Sequence, residues 1–147
     1  MKSILVSACL LGVSCRYDGK AKPVKEIIAL KEKYNLIPVC AEIMGGLPTP
    51  RIPCEIKNGR AVNRNGEDKT DEYVRGAEEV LRLARLFGCD TAVLKARSPS
   101  CGNGEIYDGS FSGRLISGDG ICAELLKANG LKIFNETKVS EILGGEL

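Results

Sequence analysis

Short apolar runs alternate with longer amphipathic segments along this chain. Four of the runs combine apolar and β-branched residues over lengths typical of buried strands. They lie at 3–8, 36–39, 91–96 and 131–134. Pro38 is a mild objection to the second run, because proline removes one backbone donor from a strand ladder.

The clearest helix is predicted at 70–87, where apolar residues recur at helical spacing on one face. These residues are Tyr73, Ala77, Val80, Leu81, Ala84 and Phe87. Thr70 suits the first position as a cap, and Gly88 stands where a helix stop is expected.

Three shorter helices complete the pattern. One follows Pro23 and ends near Asn35. A second is capped by Asp119 and runs to about position 129. A terminal helix is predicted at 139–143.

The alternation of strands and helices favours an α/β fold. We expect one domain over residues 1–147, with a mostly parallel sheet flanked by helices in a Rossmann-like three-layer sandwich. Two long loops interrupt the pattern, at 40–66 and 97–118. The first is apolar and stiffened by prolines, which favours an ordered binding loop with a small hairpin near 56–62.

Composition narrows the possible chemistry. The chain has 21 Lys and Arg against 19 Asp and Glu, a formal charge of +2, which gives no strong case for binding nucleic acid or a membrane. It contains no histidine, which excludes Ser-His-Asp and Cys-His catalysis and any His-ligated metal. A soft-metal site must therefore use cysteine.

The seven cysteines favour a reducing compartment. No basic segment followed by a long apolar run opens the chain, so we expect neither a signal peptide nor a membrane span, and a cytoplasmic protein. Structural disulfides are disfavoured there, and an odd number of thiols cannot pair completely. Metal binding or thiolate chemistry is the better expectation for some of them.

Three cysteines each follow a predicted strand: Cys9 the first, Cys40 the second and Cys101 the third. In open α/β sheets, ligands bind beyond the carboxyl ends of the strands, so we expect the three thiols to converge. A zinc site with an open position and an iron–sulfur cluster with one iron free of protein thiolates both suit this set. The alternative is that the thiols are buried and inert.

The other four cysteines are predicted to differ in their roles. Cys89 and Cys122 have apolar surroundings and are read as core residues. Cys15 lies in the same loop as Cys9 and is its main rival as a ligand, although their spacing matches no standard metal pair. Cys54 lies in the proline-rich loop and has a route toward the site.

Polar residues near the same predicted edge are candidates for catalysis or substrate contact. Glu42 suits a general acid or base, with a solvated loop carboxylate as the alternative. Ser98 and Ser100 suit a ligand contact or a proton relay, or else they shape a turn. Lys95 ends the third strand and points toward the same edge, and Arg51 is either a binding residue or a solvent-facing one.

Six motifs taken together resemble the thiouracil desulfurase-like family of small bacterial proteins. They are SACLLG at 7–12, CRYDG at 15–19, PVCAE at 38–42, GGLPTPR at 45–51, SPSCG at 98–102 and IYDGSFSG at 106–113. The resemblance covers nearly the whole chain. It departs from the family at Ala41, where proline is common, and at Cys54, where a small residue without a thiol is expected.

The resemblance implies a [4Fe–4S] cluster held by Cys9, Cys40 and Cys101, with Cys9 preferred to Cys15 because it lies closer to the strand end. It implies that the open iron takes the thiocarbonyl sulfur, that an activated water attacks the same carbon, and that sulfur leaves as hydrosulfide without net redox change. Glu42 would be the acid/base, and Ser98 or Ser100 a proton relay or substrate contact.

We therefore expect an iron–sulfur desulfurase acting on a thiolated pyrimidine or a related small molecule. The alternative is a non-catalytic module that holds zinc or a cluster for structure or sensing. A thiol redox protein is disfavoured by the lack of Cys-x-x-Cys, and intact RNA by the lack of a basic stripe or an aromatic platform. The oligomeric state is left open.

Overall fold

A parallel sheet of four strands forms the centre of the computed structural model, which describes residues 1–138 and residue 141. In chain order the elements are β1 (Lys2–Ser7), α1 (Lys25–Ile28), β2 (Tyr34–Val39), α2 (Ala41–Met44), β3 (Cys54–Lys57), β4 (Arg60–Asn63), α3 (Thr70–Phe87), β5 (Thr91–Leu94), β6 (Glu105–Tyr107), β7 (Leu115–Ser117), α4 (Ile121–Ala128) and β8 (Lys132–Asn135). The sheet order is β2-β1-β5-β8, and two antiparallel hairpins, β3-β4 and β6-β7, stand outside it.

Alternate residues of the central strands enter two separate cores. Ile4 and Val6 of β1 pack on one face with Ile27 of α1. Leu5 lies on the other face, with Val80 of α3 and Leu126 of α4. Since helices cover both faces, the predicted α/β fold with a three-layer sandwich is confirmed. Among residues 1–138 and 141, no helix is long and apolar enough to cross a bilayer.

One predicted helix boundary in the amino-terminal half is wrong. Asn35 does not end a helix, because it lies inside β2, which pairs with β1 from Lys2↔Tyr34 to Ser7↔Val39. The first helix is short and continues as a 3-10 turn at Ala29–Glu32. The tertiary pairing of β2 outweighs the local turn preference of asparagine.

The long helix α3 has the predicted bounds, and Gly88 ends it in the left-handed conformation with φ 66°. The predicted cap is wrong, because the Thr70 hydroxyl accepts a hydrogen bond from the Ala61 amide at 3.0 Å instead. Phe87 is 48% exposed rather than part of the buried face.

The second predicted cap is also wrong. The cap residue of α4 is Gly120, while Asp119 accepts a hydrogen bond from the Gly104 amide at 2.7 Å. The first long loop contains the predicted hairpin, as β3-β4, and also the short helix α2, which was not predicted. The second contains the unpredicted hairpin β6-β7. The predicted helix at 139–143 falls, apart from residue 141, outside the described residues, and a single domain over 1–147 stays a prediction.

Two glycines allow α2 and α3 to touch through their backbones. A Cβ atom on Gly76 would lie 1.8 Å from the carbonyl oxygen of Ala41, and one on Gly45 would lie 1.9 Å from that of Glu72. No side chain fits such a gap. The contact fixes α2, and with it the residues on either side of Ala41, against the longest helix of the fold.

We expect Gly76→Ala to destabilise the protein by at least about 2 kcal/mol, because the added methyl group must push α2 away from α3. The control is Glu78→Ala on the exposed side of the same helix, which should change the free energy of unfolding by less than about 0.5 kcal/mol. Urea unfolding of both variants measures the difference. Equal stability of the two would contradict a rigid contact.

Candidate active site

The register of the sheet brings three chain segments to one edge. Ser7 pairs with Val39, so β1 and β2 end side by side, and Val6 pairs with Val93 one residue before the end of β5. The strand order changes direction between β1 and β5, which is where open α/β sheets bind their ligands. The segments that carry Cys9, Cys40 and Cys101 leave the sheet at this edge.

Four thiols lie together beyond this edge. Cys15 lies close enough to Cys9 to lower the pKa of the Cys9 thiol, and the Cys40 thiol donates a hydrogen bond to the Cys15 carbonyl at 3.9 Å. Cys101 lies close enough to Cys9 to raise the pKa of Cys9, and Cys40 lies close enough to Cys101 to raise the pKa of Cys101. The structure thus places Cys15 between two of the three cysteines proposed as ligands, and all seven cysteines are free thiols.

The environment of these thiols affects their acidity in different ways. The hydrogen bond with Cys15 lowers the pKa of Cys9. Burial raises the pKa of Cys101 to about 11, and the interaction with Cys15 together with burial raises the pKa of Cys40. Because metals bind the thiolate form, metal binding at Cys40 and Cys101 must release protons.

The other three cysteines have different surroundings. Cys89 and Cys122 are buried in the core between the sheet and helices α3 and α4, as expected. Cys54 is buried beside the hydroxyl of Tyr73, and burial raises the pKa of its thiol.

The donor set fits an iron–sulfur cluster. Four neighbouring thiols without any imidazole form a soft set of the kind that holds such clusters. Within the part of the chain that the structure describes, no three Cys, Asp or Glu side chains are arranged to hold a single metal ion.

Glu42 is the polar centre of the site. Its Oε1 accepts hydrogen bonds from Arg51 Nε and from the Tyr73 hydroxyl, each at 3.0 Å. Its Oε2 accepts one from Ser100 Oγ, also at 3.0 Å. The side chain is only 14% exposed, so the alternative of a solvated loop carboxylate is wrong.

The Arg51 side chain is buried and binds other groups of the protein. Its guanidinium pairs with Glu42, donates to the Cys15 carbonyl at 2.9 Å, and donates to Pro48 O and Thr49 Oγ1 at 3.2 and 3.1 Å. Its side chain is 6% exposed, which excludes the solvent-facing alternative. Arg51 therefore joins the proline-rich loop to the segments that carry Cys15 and Glu42.

Ser98 and Ser100 lie beside Cys101 in a loop held by α4. Their hydroxyls are 3.0 Å apart, and Ser100 Oγ is 3.5 Å from Cys101 Sγ. The Ser100 carbonyl accepts hydrogen bonds from the amides of Cys122 and Ala123 in the first turn of α4, at 2.8 and 3.0 Å. This carbonyl supplies partners for helix amides that would otherwise lack them.

Lys95 follows β5 at the same edge. Its ammonium pairs with Glu136 at 3.0 Å, and its amide donates to Ser7 Oγ at 2.9 Å. Two site residues, Ser7 and Tyr73, were not predicted. Ser7 carried no signal beyond its motif, and Tyr73 was assigned to the apolar face of α3, where its ring does lie, while its hydroxyl reaches Glu42.

Residues 4–138 match the model of the 2-thiouracil desulfurase family. The chain belongs to this family. A family relationship is also supported by an uncharacterized protein of Bacillus subtilis (strain 168), YbbK, which is 39% identical over 150 residues and aligns with 95% of this chain and 99% of its own length.

A solved structure described as the [4Fe-4S]-dependent thiouracil desulfidase TudS is 41% identical to this chain. It superposes with a TM-score of 0.93 over 97% of this chain and 96% of its own. The family and the fold expected from the motifs are therefore confirmed. The assignment of individual ligands and catalytic residues in this desulfurase-family chain stays a prediction.

The ion pair between Arg51 and Glu42 should stabilise this member of the desulfurase family. We expect Arg51→Ala to cost at least about 2 kcal/mol of unfolding free energy, because it leaves the half-buried Glu42 carboxylate without its cation. Combined with Glu42→Gln, the loss should be smaller than the sum of the two single losses. Urea unfolding of the four proteins measures this coupling, and additive losses would show that the pair is not coupled.

Proposed function

We propose that this chain binds a [4Fe–4S] cluster through Cys9, Cys40 and Cys101 and removes sulfur from a thiolated pyrimidine such as 2-thiouracil, releasing hydrosulfide. The observation that carries the proposal is the meeting of these thiols, at one edge of the sheet, with a carboxylate and two serine hydroxyls. Family membership and the description of the solved relative support the same class of reaction.

Cys9 is proposed as the ligand rather than Cys15. Cys9 lies in the 3-10 turn that directly follows β1, where main-chain hydrogen bonds from Gly12 and Lys22 hold its carbonyl at 3.3 and 2.9 Å. Cys15 lies farther along the loop, and its carbonyl is held by Arg51. The turn at Cys9 is thus anchored directly to the sheet, which suits a fixed ligand.

A bound cluster with one iron free of protein thiolates supplies a Lewis acid for the departing sulfur. The chain supplies the proton chemistry. Glu42 Oε1 is occupied by Arg51 and Tyr73, so Oε2, which faces Ser100, is the oxygen that exchanges a proton. Ser100 and Ser98 provide two further hydroxyls through which that proton moves.

The reaction balances without an electron donor. Glu42 Oε2 takes a proton from a water molecule as the water oxygen bonds to the thiocarbonyl carbon. Glu42 then returns that proton to the departing sulfur as the carbon–sulfur bond breaks and the carbonyl forms, and the second proton of the water is released. The products are the carbonyl compound, hydrosulfide and one proton, so neither carbon nor sulfur changes its net oxidation state.

We propose a free base or a similarly small molecule as substrate, rather than intact RNA, because a formal charge of +2 gives no strong electrostatic case for binding a polynucleotide. We also propose a cytoplasmic setting. Seven unpaired thiols, two of them beside each other at Cys9 and Cys15, suit a compartment that keeps thiols reduced.

Replacing any proposed ligand should release the cluster. After anaerobic reconstitution, Cys9→Ser, Cys40→Ser and Cys101→Ser should each lose most of the iron and the visible absorption of the unaltered protein. Cys89→Ser, which changes a buried thiol outside the site, should keep about four irons per chain. Iron and sulfide analysis decides the assignment: loss of the cluster in Cys15→Ser with retention in Cys9→Ser would make Cys15 the ligand.

Glu42→Gln should keep the cluster and lower hydrosulfide release from 2-thiouracil by about 100- to 10,000-fold, because the amide cannot accept the proton. The matched control is Glu136→Gln, since Glu136 is also an ion-paired carboxylate, with a side chain 13% exposed against 14% for Glu42. That variant should retain most of the activity.

Assays of iron content and hydrosulfide release separate the proposal from its alternative. Unchanged turnover in Glu42→Gln would remove Glu42 from the mechanism. A protein that binds the cluster yet releases no hydrosulfide from any thiolated base would instead be a non-catalytic cluster module.

A further inference from the structure

We propose that Ser7 is a positioning residue that donates a hydrogen bond to the sulfur of Cys101 and so tunes the cluster ligand. Ser7 is the last residue of β1, and its Oγ lies 3.7 Å from Cys101 Sγ, a contact between residues 94 positions apart. The hydroxyl is buried, with the residue only 3% exposed. The inference rests on the proposed role of Cys101 as a ligand.

Among the residues that the structure describes, the Ser7 hydroxyl has one acceptor within hydrogen-bonding distance. Ser7 Oγ accepts a hydrogen bond from the amide of Lys95 at 2.9 Å, so that side of the oxygen already has a donor. A hydroxyl has a single proton to give, and the acceptor within reach is the sulfur of Cys101. The Lys95 amide therefore sets the direction in which Ser7 donates.

Ser100 contacts the same sulfur in a different way. Its Oγ lies 3.5 Å from Cys101 Sγ, but also 3.0 Å from Glu42 Oε2 and 3.0 Å from Ser98 Oγ. One proton is shared among three neighbours, which suits a group that passes protons. Among the described residues, the Ser7 hydroxyl has no second acceptor of this kind. We therefore assign proton exchange to Ser100 and the positioning of the Cys101 sulfur to Ser7.

A hydrogen bond to a ligating sulfur withdraws charge from it. With a cluster bound, a Cys101 sulfur that accepts this hydrogen bond would give less charge to the iron, which would favour the reduced cluster and make the iron a stronger Lewis acid. Partners of this kind also orient the ligand, and their loss typically weakens metal binding by about 10- to 100-fold. Ser7 thus acts on the reaction through Cys101, without touching the substrate.

The test compares Ser7→Ala with Ser7→Thr in the reconstituted protein. Ser7→Ala should shift the reduction potential of the cluster to a more negative value and speed iron loss to a chelator by about tenfold. Ser7→Thr keeps the hydroxyl and should restore both properties toward those of the unaltered protein. The matched control is Thr91→Val, which removes another buried hydroxyl of the same sheet, one that donates to Asp90, and should change neither property.

An unchanged potential in Ser7→Ala, or an equal shift in Thr91→Val, would overturn the inference. If Ser7→Ala does not fold, resonance Raman spectra of the unaltered protein in H₂O and D₂O replace it. A shift of the iron–thiolate bands in D₂O that Ser7→Thr preserves would support the hydrogen bond, and its absence would overturn it. A chain that binds no cluster overturns both proposals, whereas a loaded, active enzyme insensitive to Ser7 overturns this one alone.

Discussion

The half-buried carboxylate of Glu42 is the constraint on which the site depends. A negative charge removed from most of its water is stable only when donors replace that water. Arg51, Tyr73 and Ser100 supply those donors, and each comes from a different part of the chain. Satisfying one carboxylate therefore fixes the relative positions of the proline-rich loop, helix α3 and the loop after β5.

Backbone contacts between α2 and α3 also fix the position of Glu42. Glu42 lies on a helix of only four residues, which has little stability of its own. Its position comes from Gly45 and Gly76, which let α2 lie directly on α3. The hydrogen bonds of Glu42 and the close packing on α3 thus both hold helix α2 in place. They also hold Cys40, the residue that precedes this helix.

The sequence predicted the sheet well, because each strand is a short apolar run and buried strands have few alternatives. Asn35 misled the prediction, since strand pairing overrides the turn preference of a single residue. The convergence of Cys9, Cys40 and Cys101 followed from element order alone. The hydrogen-bond partners of Glu42 could not be predicted in this way. The aromatic ring of Tyr73 fits an apolar helix face, and nothing in the sequence shows which group its hydroxyl contacts.

The loop around Cys101 and the proline-rich loop differ in how tightly they are packed. A Cβ atom on Gly120 would lie 2.5 Å from the carbonyl carbon of Ser100, and one on Gly102 would lie 2.7 Å from the carbonyl oxygen of Ser98. The loop that carries Cys101 is therefore packed tightly against the start of α4. The proline-rich loop is packed less tightly, because a cavity of about 280 Å³ borders Pro48, Pro50 and Ile52. Changes of side-chain size are therefore tolerated more readily in the proline-rich loop than beside Cys101.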